Sequence, residues 1–258
     1  MKIIGIIPAR MASTRFPGKP MAKINGIPMI GHVYKRSKMA KILDEVYVAT
    51  CDKEIYDYIE SIGGKAIMTA DTHERASDRS AEALEIIEKT NNEKIDIIVM
   101  LQGDEPMIVP EMIKAGIQPL INDSSIGAVN LMAEIKTEEE WLDPNEVKVV
   151  VDNNSNALYF SREPIPSNKK YNGKFTAYKQ VCIIPFTTEG LKKYLSLSET
   201  TLEKIESVDM NRILEHGGTV KMVYTNHNTY AVDTPADLQK VEKIMLIKEF
   251  DVIVNSTK

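Results

Sequence analysis

The chain has 258 residues, of which 43% are hydrophobic and 27% charged, with a formal net charge of −5. This length and apolar content fit a folded α/β chain with a substantial core and exclude a disordered or fibrous one. The acidic balance argues against a general nucleic-acid or membrane surface, and no apolar run approaches the roughly 20 residues that span a bilayer.

The first apolar run, residues 2–7, predicts a buried strand. After it comes Pro8-Ala9-Arg10-Met11-Ala12-Ser13-Thr14-Arg15-Phe16-Pro17-Gly18-Lys19-Pro20, a short loop with three fixed cations, Arg10, Arg15 and Lys19. Open α/β sheets bind ligands at the carboxyl ends of their strands, so this loop should attract a polyanion, and a nucleoside triphosphate is the obvious one. It matches neither G-x-x-x-x-G-K-[ST] nor G-x-G-x-x-G. Backbone amides near Gly18 and the side-chain cations would have to hold the phosphates.

Strands are predicted next at 45–50, 66–69 and 95–101, alternating with helices at 29–39, 53–61 and 80–89, the second stopped by Gly63-Gly64. That alternation implies a parallel sheet with crossover helices. Thr72-His73-Glu74-Arg75-Ala76-Ser77-Asp78-Arg79 reads as a polar loop entering a helix, with Ser77 as its cap and Arg79 directed at the site. The strand at 95–101 then ends abruptly in Gln102-Gly103-Asp104-Glu105-Pro106, which delivers carboxylates to the same sheet edge as the first loop. Carboxylates beside a triphosphate imply Mg²⁺, which takes one or two protein carboxylates and completes its octahedron with phosphate and water oxygens. Gln102 offers both a donor and an acceptor, suited to a base edge or a hydroxyl.

From about residue 126 the pattern turns to strand after strand, at 127–134, 147–152, 157–159 and 180–186, which suggests an antiparallel extension of the sheet. Residues 168–174 are polar and contain glycine, a candidate mobile loop. Helices follow at 187–195 and 207–216, the latter stopped by Gly217-Gly218, then a strand at 220–224 and a helix at 235–248. Val232-Asp233-Thr234-Pro235 brings another carboxylate. It is also helix-start grammar, with Asp233 or Thr234 as the cap and Pro235 in the first turn. The tail at 249–254 is more apolar than a free terminus should be, as for an edge strand or a segment packed on a neighbour. Cys51 and Cys182 read as core thiols in a reducing compartment, and the absence of a leader pattern points to the cytoplasm. His32, His73, His216 and His227 read as structural or solvated rather than catalytic.

Several of these segments together resemble a known family. Arg10-x-x-Ser13-x-Arg15-x-x-Gly18-Lys19-Pro20, Gln102-Gly103-Asp104-Glu105-Pro106, Pro144-Asn145-Glu146-Val147-Lys148-Val149-Val150, Tyr159-Phe160-Ser161-Arg162 and Val232-Asp233-Thr234-Pro235 look like CMP-Kdo synthetase, the 3-deoxy-manno-octulosonate cytidylyltransferase family. They occur in the family's order from residue 1 to about 246. The resemblance implies a Rossmann-like nucleotidyltransferase fold, usually a homodimer, that joins CTP to a sugar acid for cell-surface polysaccharide synthesis and releases pyrophosphate. It implies a single domain at 1–246, with a nucleotide-binding part at about 1–125, an acceptor-binding and dimerisation part at about 126–230, and a tail at 247–258.

Carried over by residue, the resemblance implies that Arg10 and Lys19 bind the triphosphate with Ser13 and Arg15 supporting the loop. Pro8, Ala9, Ser77, Arg79 and Gln102 surround the cytidine, and Asp104 with Asp233 holds Mg²⁺. Arg162 meets the sugar's carboxylate as a bidentate partner. The chain departs from the family where the sugar should sit: Gln180 replaces a usual His, Ile184 a Tyr, and Asp209-Met210 a Glu-Gln pair. The loop before Arg79 also reads Arg75-Ala76-Ser77-Asp78 where Ser-Gly-Thr-Glu is usual. An amino-substituted Kdo, or another carboxylated or phosphonylated acceptor, fits these departures as well as plain Kdo. Two further readings stand beside this one: a nucleotide-binding protein without turnover, and transfer to a sugar 1-phosphate from UTP or dTTP.

Overall fold

The computed structural model describes residues 1–13, 15–171, 173–227 and 229–246. In chain order its elements are β1 (Ile3–Ala9), a 3-10 turn (Lys19–Met21), β2 (Lys23–Ile24), β3 (Ile27–Pro28), α1 (Met29–Lys38), β4 (Glu45–Thr50), α2 (Lys53–Ser61), β5 (Ala66–Met68), α3 (Ala76–Asn91), β6 (Ile97–Leu101) and α4 (Pro110–Asn122). The chain continues through β7 (Val129–Glu134), α5 (Glu138–Leu142), β8 (Lys148–Val151), β9 (Ala157–Ser161), β10 (Tyr178–Val181), β11 (Ile183–Thr187), α6 (Thr188–Ser196), α7 (Thr201–Glu206), α8 (Met210–Glu215), β12 (Lys221–Thr225) and α9 (Pro235–Met245). Two units form, one from residues 1–114 with the returning chain after 228, the other from 115–227.

In the first unit, β1 is buried at every position, as a strand with neighbours on both edges should be. It pairs in parallel with β4, Ile4 opposite Glu45 through Ala9 opposite Thr50, and with β6, Ile3 opposite Ile97 through Ile6 opposite Met100. The strands run β6-β1-β4-β5. The chain steps from β1 to β4 to β5 and then returns through α3 to lay β6 on the other side of β1. The order therefore reverses between β1 and β6. Such a switch point is where open α/β sheets bind ligands, because the two following loops diverge and leave a crevice. Those loops are the cationic segment after β1 and the acidic turn after β6.

The predicted strands and first two helices of this unit lie within a few residues of the observed ones. α3 starts at Ala76, four residues before the expected start, and its N-cap is Arg75 rather than Ser77. Ser77 and Arg79 are both buried inside the first helical turns. α4 is not among the helices expected from the sequence, and Gly116 and Pro119 lie within it.

In the second unit, β7, β8, β9, β10 and β12 build a five-stranded sheet of their own in the order β12-β7-β10-β8-β9. β12 runs parallel to β7 and the other pairs are antiparallel. The single strand expected at 180–186 is two, β10 and β11, parted at Cys182. Both cysteines are half-buried rather than core thiols, since each sits just past a strand's end. The predicted tail at 247–258 lies outside the described residues.

Candidate active site

Three cationic and acidic side chains from distant segments meet at the switch point. Lys19 Nζ donates to Asp104 Oδ2 at 2.8 Å and to Asp233 Oδ1 at 3.2 Å. Arg15 adds a second cation to Asp233, Nη2 to Oδ1 at 2.9 Å. Lys19 is 13% exposed, and Asp104 and Asp233 are 25% and 18% exposed, so the cluster is shielded but open to a ligand. Burial works to lower the Lys19 pKa, but the two carboxylates outweigh it and hold the ammonium above its usual range.

The local chain explains the convergence. Gly18 takes the left-handed conformation at φ +72°, which turns the loop so that Gly18 N–H reaches the Met11 carbonyl at 3.0 Å and Lys19 enters the 3-10 turn. Gly103 lets the acidic turn lie against β1: a Cβ there would meet the Pro8 carbonyl oxygen at 3.2 Å. Val232 N–H donates to the Asp104 carbonyl at 2.9 Å, which stitches the two carboxylate-bearing segments together. Beneath them Ile24, Met29, Met107, Val232, Val241 and Met245 form a buried apolar cluster, with Phe16 packed against it. Phe16, Met107 and Val232 are near sequence neighbours of Lys19, Asp104 and Asp233, so burying the former places the latter.

The ambiguity at the last segment resolves at Thr234. Its side chain caps α9 by accepting Asp237 N–H, and the Asp237 carboxylate takes the Thr234 N–H at 2.8 Å in return. Asp233 is thereby left to face the cations. Asp237 also accepts Asp233 N–H at 3.2 Å, which fixes the backbone there.

Among the other expected residues, Pro8 and Ala9 close β1 beside the acidic turn. Ser13 Oγ accepts Phe16 N–H at 3.4 Å and so supports the loop from within. Arg10 is exposed, its Nη1 3.5 Å from the His73 carbonyl. Gln102 is half-buried at the end of β6, and its side chain has no hydrogen-bond partner among the described residues. Arg79 is 2% exposed and donates to Thr69 Oγ1 at 2.5 Å, the Ala70 carbonyl at 3.2 Å and the His73 carbonyl at 3.2 Å. It therefore shapes the 69–73 loop. Glu82 helps, taking Ala70 N–H at 2.8 Å and the His73 ring at 2.6 Å. His32 is buried against the Ile24 carbonyl at 2.8 Å, and burial lowers its pKa, in keeping with a structural role.

Sequence reasoning missed Asp52. It is the residue before α2, yet its carboxylate accepts Met11 N–H at 2.7 Å and anchors the cationic loop. Its position at the carboxyl end of β4 was the available signal.

In the second unit, Arg162 follows β9. Its Nε donates to the Glu206 carbonyl at 2.7 Å and its Nη1 to the Pro144 carbonyl at 2.9 Å. Two of its nitrogens are thus engaged by backbone carbonyls. Gln180 Nε2 donates to Asn130 Oδ1 at 2.5 Å. Asp209 is the N-cap residue of α8.

A parallel sheet with a cationic loop and two carboxylates at its switch point defines a nucleotidyltransferase of Rossmann-like fold. A sequence profile of the cytidylyltransferase family matches residues 4–244. The chain belongs to that family, in the branch of the 3-deoxy-manno-octulosonate cytidylyltransferases. It is 43% identical to the enzyme of that name from Geobacter metallireducens, covering 93% of this chain and 96% of the relative. It is also 43% identical to that of Thermodesulfovibrio yellowstonii, covering 95% and 98%. Among solved structures it is similar to a CMP:2-keto-3-deoxy-manno-octonic acid synthetase complexed with CTP, with a TM-score of 0.87, 37% identity and coverage of 96% of this chain and 100% of that one. A putative glucose-1-phosphate thymidylyltransferase from Bacillus anthracis shares the fold at a TM-score of 0.66 and 15% identity, covering 94% of each chain. No helix among the described residues is long and apolar enough to cross a membrane.

Proposed function

We propose that the enzyme joins CTP to 3-deoxy-manno-octulosonate, or a close relative of that sugar acid, to give the CMP-sugar and pyrophosphate for cell-surface polysaccharide synthesis. The observation that carries this reading is the single Lys19 ammonium shared by Asp104 and Asp233 at the switch point. A cation and two hard carboxylates facing one point suit a triphosphate with its divalent metal.

In this reading Arg10 and Lys19 hold the triphosphate and neutralise charge gathering on the leaving pyrophosphate. Ser13 and Arg15 support their loop. Pro8, Ala9, Ser77 and Gln102 surround the cytidine, together with the loop that Arg79 shapes. Asp104 and Asp233 would hold Mg²⁺, since paired carboxylate oxygens from two segments are the donors it takes beside phosphate. When bound, Mg²⁺ supplies Lewis-acid polarisation at the α-phosphate. The acceptor hydroxyl attacks the α-phosphorus in line. The new P–O bond forms as the bond to the β-phosphate oxygen breaks, and a proton and pyrophosphate are released.

For the acceptor, Arg162 meets the carboxylate with the guanidinium edge that its two carbonyl bonds leave over. Gln180 and Asp209 are taken as acceptor-binding residues on the family resemblance, and an amino-substituted Kdo is among the acceptors this reading admits. A homodimer in the cytoplasm is proposed on the family resemblance alone.

The test is incubation with CTP, Mg²⁺ and a panel of Kdo, 8-amino-8-deoxy-Kdo and sugar 1-phosphates, read as pyrophosphate. Release with a sugar acid and none with the sugar phosphates is expected. CTP binding without pyrophosphate from any sugar acid overturns the reading.

A further inference from the structure

Glu206, the last residue of α7, is 9% exposed and accepts three hydrogen bonds from the end of β9. Oε1 takes the Tyr159 hydroxyl at 2.7 Å and the Ser161 hydroxyl at 2.8 Å, and Oε2 takes Arg162 N–H at 2.7 Å. Its own carbonyl takes Arg162 Nε. β9 is the edge strand of its sheet, and side chains stand where a neighbouring strand would. Asn211, fully buried, accepts Phe160 N–H at 3.3 Å and donates to the Phe160 carbonyl at 3.0 Å. Glu206 continues that side-chain ladder to Arg162. Both the backbone and the guanidinium of Arg162 are therefore oriented by one residue, with the Pro144 carbonyl closing the third side. No part of the proposed chemistry uses this carboxylate.

We propose that Glu206 is a positioning residue for the acceptor, holding Arg162 so that the rest of its guanidinium meets the sugar's carboxylate. This rests on the reading of Arg162 as that carboxylate's partner. The carboxylate also leaves a spectroscopic mark: burial, and then the bond to Glu206, push the Tyr159 hydroxyl up to about 12.

The experiment is Glu206→Gln, which keeps the side-chain shape but removes the charge and one acceptor oxygen, so that the hydroxyls of Tyr159 and Ser161 must turn to accept or the Arg162 N–H loses its partner. The expected result is a KM for the sugar acid raised about tenfold, the loss of roughly one hydrogen bond's worth of orientation, with kcat and the KM for CTP within about twofold. In parallel, [¹³C]tyrosine NMR, assigned with Tyr159→Phe, should show Tyr159 titrating nearer the ordinary tyrosine value. Glu206→Asp should recover part of both. A shifted Tyr159 with an unchanged acceptor KM overturns the proposal and leaves Glu206 a merely structural residue. An unchanged acceptor KM in Arg162→Met instead overturns the underlying reading of Arg162. If Glu206→Gln does not fold, Ser161→Ala and Tyr159→Phe each strip one hydroxyl from the carboxylate, and each must raise the acceptor KM about two- to threefold for the proposal to survive.

Discussion

Replacing Lys19 by Met removes the one cation that both site carboxylates share while keeping a chain of similar length. Two effects follow, and they separate. Like charges about 5 Å apart repel by roughly 3 kcal/mol at an effective dielectric near 20. Asp104 and Asp233 are 25% and 18% exposed, so hydration relieves part of that. A net loss of about 1–2 kcal/mol is expected, which for a chain of this size is a drop of several degrees in Tm. The double variant Lys19→Met/Asp104→Asn should recover most of it, because the repulsion is gone. Catalysis should not recover. Losing a preorganised cation at developing phosphate charge costs about 10²- to 10³-fold in kcat. Pyrophosphate release at saturating CTP and sugar acid, with thermal unfolding on the same samples, reads both effects. Because the carboxylates raise the Lys19 pKa above its ordinary 10.5, the wild-type rate should show no loss from Lys19 deprotonation below about pH 10. A kcat within about threefold of wild type in Lys19→Met refutes the assignment, and so does a double variant no more stable than the single one.

Asp104→Asn and Asp233→Asn should each cut pyrophosphate release at least about 100-fold with little change in Tm, and near-normal turnover in either removes that carboxylate from the metal assignment. Glu45 is held at about 2 despite some burial, through hydrogen bonds from Lys38, Lys65 and Val46 N–H. Since the unfolded chain takes up the proton first as pH falls, the stabilisation is whole above about pH 4.5 and drains away toward pH 2, so Glu45→Gln should cost about 1 kcal/mol at pH 7 and almost nothing near pH 2 in denaturant titrations. Arg212 forks onto the fully buried Glu203 at 2.8 and 2.7 Å and lies over the Tyr194 ring at 4.6 Å. Arg212→Met should therefore cost about 3–5 kcal/mol, whereas Arg212→Met/Glu203→Leu should recover all but a small part; equal losses in the two would mean the stranded carboxylate is not the cause.

The parallel α/β alternation and the charged turns that carry Lys19 and Asp104 could be read from the chain, because buried strands that end abruptly in cations or acids are local patterns, whereas the family and the part given to Asp233 came from the order of the motifs, since Val232-Asp233-Thr234-Pro235 alone is helix-start grammar. α4 is absent from the sequence reading, and Gly116 and Pro119 within it both weaken the local helical signal. Glu82 and Glu206 were not legible either, and Asp52 offered only its place at the end of β4: the three are carboxylates whose partners lie 9, 44 and 41 residues away, with no periodicity linking each pair.

Local chemistry by itself therefore determined which segments carry charge and which are buried. Only the tertiary structure decided that Thr234 caps α9 and frees Asp233, and that Arg79 turns inward to shape a loop. It also decided that Arg162 is already held by two carbonyls. The physical reason is that a polar side chain takes whichever partner folding brings within about 3 Å, and that choice is set by how strands and helices pack rather than by the residue's neighbours along the chain.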